Sequence, residues 1–120
     1  MTIGCHGASH IPLRRVTSEV LDYETRGAKT RLEDTLGHRI SEFAIPFGSY
    51  DRKVMKALDP FDKVYTSDHQ MSAFDARIVM RHSYVKDWKR ETPRTYIQNA
   101  PTGMKSAVMR ARMAAKRLRP

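Results

Sequence analysis

A segment with helical periodicity, residues 17–36, ends at Gly37 and gives way six residues later to a short apolar run, Phe43-Ala-Ile-Pro-Phe47, which Pro46 and Gly48 stop. A helix-length pattern beside a strand-length one marks alternating β and α units, and such units pair their strands in a parallel sheet. The spacing places Leu21, Ala28, Leu32 and Leu36 on one helical face, with Thr17 or Ser18 as the N-terminal cap and Gly37 just past the end. Gly27 falls mid-helix, where it costs about 1 kcal/mol relative to alanine. The alternation then repeats. Ser49 or Asp51 opens a short helix with Val54, Met55 and Leu58 inward, which Asp59-Pro60 halts, and Lys63-Val-Tyr-Thr-Ser67 follows as a β-rich run. Residues 1–4 read as the stump of a strand, and residues 76–83 are the last strand candidate.

Composition narrows the class. Apolar residues make up 40% and charged residues 29%, the balance of a globular chain. No run of about 18 apolar residues is present, and the start has neither the basic nor the apolar region of a signal peptide, so the default expectation is a cytoplasmic protein. A single cysteine excludes an internal disulfide.

Charge is strongly asymmetric: residues 1–76 carry a net −1 and residues 77–120 a net +10. Residues 86–102, with Pro93 and Pro101, read as a connecting loop in which Trp88 anchors to the core, and residues 103–120 as a basic amphipathic helix. That helix carries Met104, Ala107, Val108, Ala111, Ala115 and Leu118 on one side. Two roles fit it: packing this stripe on the domain, or contact with an anionic surface. A nucleic-acid role would rest on phosphate contacts alone, because no helix-turn-helix, zinc-finger or aromatic-platform signature is present.

The chemistry-bearing residues cluster at the start, in Ile3-Gly-Cys-His-Gly-Ala-Ser-His-Ile-Pro-Leu13. His6 and His10 are four residues apart, a spacing that lets two imidazoles converge on one divalent ion, and zinc takes neutral imidazole readily. Gly4, Gly7 and Pro12 oppose a regular helix here and favour a compact loop. Cys5 reads either as a small buried residue or, if the loop opens, as a thiolate donor. His38 and His69 read as solvated.

Taken together, the His6-Gly-Ala-Ser-His10 loop, the helix ending in Leu32-Glu-Asp-Thr-Leu-Gly37, and Phe43-Ala-Ile-Pro-Phe-Gly-Ser-Tyr-Asp51 resemble the polysaccharide deacetylases of the NodB-homology type, carbohydrate esterase family 4. The resemblance spans about residues 2–85. It implies a metal-dependent hydrolase that removes acetyl groups from acetylated sugars, with His6 and His10 as metal ligands, zinc as the expected ion, and Pro46 and Phe47 as one wall of the substrate groove. It also implies a fold: a partial (β/α) barrel, about half of one over residues 1–85, followed by the loop and the basic helix.

Three departures follow from the same comparison. The Thr-Phe-Asp-Asp motif that supplies the family's third ligand and general base is missing from the sequence. The arginine that many members carry two residues before the groove proline is Ala44. The late Leu-x-His of the general acid has its nearest match in Met80-Arg81-His82, where His82 is the candidate acid and Arg81 the alternative match. The sequence therefore predicts a truncated deacetylase, weak in zinc and inactive as this chain. The alternatives are a non-catalytic remnant that binds sugar or a partner, and a small basic nucleic-acid-binding protein. Half a barrel also predicts self-association, with Phe43, Ile45, Val64 and Ile78 open to water at an exposed sheet edge.

Overall fold

The computed structural model describes residues 1–68, 76–80, 111 and 115. Three short strands, β1 (Glu42–Ala44), β2 (Lys63–Thr66) and β3 (Ile78–Met80), form a parallel sheet in the order β1-β2-β3. Phe43 pairs with Val64, and Val64 with Ile78, so three apolar side chains line up across the sheet on one face. The fold class is α/β, as the alternating pattern predicts.

Residues 1–4 do not form a strand. The chain meets the sheet one residue later, in a single parallel bridge between Cys5 and Phe43. Cys5 N–H donates to the Glu42 carbonyl at 2.8 Å and Ala44 N–H to the Cys5 carbonyl at 2.9 Å. Gly4 lets the two backbones approach, since a Cβ there would stand 3.2 Å from the Glu42 carbonyl oxygen.

The long helical segment is three pieces in succession: α1 (Ser18–Asp22), a π-turn (Tyr23–Gly27) and α2 (Ala28–Leu36). Thr17, rather than Ser18, is the cap, its Oγ1 accepting from Val20 N–H at 3.3 Å. Gly37 closes α2 in the left-handed conformation at φ +69°, and its N–H reaches the Glu33 carbonyl. Leu21 and Ala28 are buried and Leu32 is half-buried, but Leu36 is 38% exposed. The extra residue of the π-turn rotates the face, and it is Glu24 and Thr25 that are buried between Leu21 and Ala28. Lys29 and Glu33 tie the end of α2 to the approach to β1, because Lys29 donates to the Ile40 carbonyl and Glu33 accepts from Ile40 N–H.

β1 ends where Pro46 offers no N–H, and a 3₁₀ turn over Pro46–Gly48 follows. The crossover to β2 is α3 (Arg52–Ala57), capped by Asp51, whose carboxylate accepts from Val54 N–H at 3.0 Å. Val54 and Leu58 are buried and Met55 half-buried. The core lies between sheet and helices, around Phe43 and Phe61, whose rings stand 5.0 Å apart and gain about 0.5–1.5 kcal/mol beyond their burial. The faces expected to stand open are covered: Phe43 and Ile45 are 0% exposed, Val64 1% and Ile78 6%. Leu13, Leu21, Tyr50 and Leu58 join them in the buried core, so the apolar area is shielded within one copy of the chain.

The expected loop over 86–102 lies outside the described residues, as does the expected helix over 103–120 apart from Ala111 and Ala115. Those two alanines are helical and exposed. Among the described residues no helix is long and apolar enough to cross a membrane.

Candidate functional site

Parallel α/β sheets place functional loops at the C-terminal ends of their strands. The loop after the Cys5 bridge and the turn after β1 meet at that edge. His6 is half-buried and its Nδ1 lies 2.6 Å from the Ala44 carbonyl oxygen. A carbonyl accepts only, so Nδ1 carries the proton and donates, which leaves the Nε2 lone pair of the neutral ring open to a ligand. Ala44 thus acts here through its backbone carbonyl, which any residue supplies.

His10 is exposed and stands over His6, with ring centroids 4.8 Å apart and a 58° tilt. Two imidazoles sharing one tetrahedral ion at about 2.0–2.1 Å place their centroids about 5 Å apart, so the observed pair is compatible with a shared ion. Phe47, 63% exposed, lies on the far side of His10 at 4.7 Å. His10 and Phe47 are the two non-glycine residues with positive φ among the described residues, at +53° and +55°. Such conformations cost of order 1–3 kcal/mol each and gather at functional sites. Pro46 is buried beside the loop, its Cγ 3.6 Å from where a Cβ on Gly7 would sit.

The loop between the histidines is anchored from below. Glu24, 1% exposed, accepts at Oε2 from the N–H groups of Ala8 and Ser9, each at 2.9 Å. The periodicity that gave Leu21 and Ala28 already pointed to it, since residue 24 falls three after Leu21 and four before Ala28, an acid on an apolar face. Cys5 is buried, and burial first of all pushes its thiol up. At the end of β2, Tyr50 donates its hydroxyl to the half-buried Asp68.

Among the described residues no group of three or more His, Cys, Asp or Glu side chains is arranged to hold a metal ion. His6 and His10 are brought together with Phe47 and Pro46; His69 and the candidate acid His82, with its alternative Arg81, lie outside the described residues. His38 is exposed after α2, away from this edge, bonded to the Leu36 carbonyl at 3.2 Å. His6 and His10 are thus the two residues that could hold a metal ion at this edge, and no third such donor is grouped with them among the described residues.

No curated protein matches the chain. The family model described as polysaccharide deacetylase matches residues 1–65, which span the histidine loop, the Pro46-Phe47 turn and the strands that carry them; the chain belongs to the polysaccharide deacetylase family.

Proposed function

We propose that this chain carries the two-histidine half of a metal-dependent carbohydrate deacetylase site. His6 and His10 hold a divalent ion, zinc by preference of neutral imidazole, and Pro46 and Phe47 form a wall against which an acetylated sugar lies. The observation that carries this reading is the run of neighbouring, mutually tilted rings His6, His10 and Phe47, with His6 Nδ1 committed to the Ala44 carbonyl and two of the three residues held in costly backbone conformations. The exposed Phe47 ring suits the apolar face of a sugar, and the Nδ1 bond fixes the tautomer and the plane of His6. The sequential parallel order β1-β2-β3 supports reading the sheet as part of a (β/α) barrel, about half of one.

When bound, zinc supplies polarisation of the acetyl carbonyl and a water acidified towards a pKa of about 7. A catalytic site needs three protein ligands and a base within about 3 Å of that water. The sequence has no Thr-Phe-Asp-Asp, and two imidazoles alone bind weakly. The full chain is therefore a weak zinc binder with negligible turnover.

Titration calorimetry with Zn²⁺ tests this. Weak uptake by the wild-type chain, lost in both His6→Ala and His10→Ala, supports the reading, and the same uptake by the double variant ends it. Acetate release from an acetylated chitin oligomer at about 1 per second or faster would show that the chain already holds a complete site.

A further inference from the structure

Glu24 has a burial that its helix does not require. An apolar side chain at position 24 would continue the stripe from Leu21 to Ala28, yet an acid stands there, 1% exposed. A carboxylate leaves water at great cost unless its oxygens are bonded, and Glu24 Oε2 meets two N–H groups at 2.9 Å, those of Ala8 and Ser9. Both amides belong to the turn between His6 and His10. Gly7, at φ +84°, turns the backbone so that the two successive N–H groups face inward, and such a concavity prefers an anion. The fit is close, because a Cβ on Gly7 would lie 3.0 Å from the same oxygen.

We infer that Glu24 is the positioning residue of the histidine loop. Its carboxylate, seated on Ala8 and Ser9, fixes the turn that holds the His6 and His10 rings 4.8 Å apart, and so sets the affinity of the pair for a divalent ion. The affinity clause rests on the metal reading above; the fixing of the loop does not. Groups that orient metal ligands from behind typically change affinity by about 10- to 100-fold when removed.

Two variants of the full chain separate the outcomes. Glu24→Gln keeps an oxygen within reach of both amides, whereas Glu24→Met fills a similar volume without that acceptor. Amide hydrogen exchange by NMR on the metal-free protein reads the loop, and Co²⁺ titration followed by visible absorption reads the pair. In Glu24→Met, Ala8 and Ser9 exchange about tenfold faster or more while Ile45 and Val64, bonded within the sheet, are unchanged, and the Co²⁺ Kd rises at least about tenfold. In Glu24→Gln, which keeps the acceptor and loses the charge, both quantities shift in the same direction but less than in Glu24→Met. Unchanged exchange at Ala8 and Ser9 in a folded Glu24→Met overturns the inference. So does a Glu24→Gln chain in which Ala8 and Ser9 exchange as fast as free amides, which is the deciding result if Glu24→Met does not fold. If the wild-type chain takes up no Co²⁺, the metal reading fails and the exchange data alone decide the role of Glu24.

Discussion

Replacing Gly7 by alanine is the sharpest test of how the histidine loop is built. At φ +84° an L-residue pays a backbone penalty of about 1–2 kcal/mol. The new methyl also meets Glu24 Oε2 at 3.0 Å, with Pro46 Cγ at 3.6 Å and His10 N at 3.8 Å behind it. The carboxylate must therefore shift by a few tenths of an ångström, which strains its bonds to Ala8 and Ser9. It holds two charge-assisted bonds, and weakening even one costs about 1.5–3 kcal/mol. A total of about 2.5–5 kcal/mol follows for Gly7→Ala. Gly37→Ala is the control, because φ is +69° there and nothing lies within 4 Å of the added Cβ, which leaves only the backbone cost of about 1–2 kcal/mol. Urea denaturation of the full chains, followed by circular dichroism, compares them at a common slope of about 1–3 kcal/mol per molar. Gly7→Ala should lose at least about 1.5 kcal/mol more than Gly37→Ala. Equal losses would refute the packing of Glu24 against this turn.

The other glycine of the helical segment behaves oppositely: Gly27 has helical φ −59° and ψ −41°, and its nearest neighbours to an added Cβ stand at 3.6 and 3.9 Å, so Gly27→Ala should stabilise by about 0.5–1 kcal/mol in thermal unfolding. The Lys29 ammonium beside Glu33, helped by Ile40 N–H, holds the Glu33 carboxyl below the usual carboxylate range. Its folded-state pKa is depressed, so its contribution is full above the unfolded value of about 4.3 and is lost as pH falls through the folded value; the gap in melting temperature between wild type and Glu33→Gln should be present at neutral pH and close on acidification. Cys5, buried with its thiol pushed up, should resist alkylation in the native chain at mildly alkaline pH and react at once in urea, and fast native labelling would show that the loop opens.

Much of this arrangement was legible in the sequence because punctuation and period carry local physics. Gly37 and Asp59-Pro60 stop helices where the backbone demands it, and the apolar runs at Phe43 and Val64 became paired strands. The pairing of His6 with His10 followed from spacing and resemblance, and the two rings do meet. What the sequence hid depends on contacts distant along the chain. The π-turn at Tyr23–Gly27 shifts the face so that Leu36 lies outward, which a straight 3.6-residue period misses, while Glu24 stands where that period already puts the buried face. The strand expected over residues 1–4 became one bridge at Cys5, because pairing is set by the partner Phe43 and not by the run itself. The positive φ of Phe47 is likewise invisible in a pattern of residue types, since a bulky aromatic residue rarely adopts it, whereas His10 is of a type that does so more readily. The exposed apolar faces were predicted from strand count, but burial by α3, the π-turn segment and the loops between them depends on packing in three dimensions.

Whether His6 and His10 share one ion decides the proposed site. X-ray absorption at the zinc edge, on the full chain loaded with one equivalent of Zn²⁺, counts the ligands directly. A shared ion gives two imidazoles at about 2.0–2.1 Å, oxygen in the remaining positions, and loss of the imidazole signal in the His6→Ala and His10→Ala double variant. A spectrum with a sulfur at about 2.3 Å would place the ion on Cys5, and one with no imidazole pair would contradict the shared site.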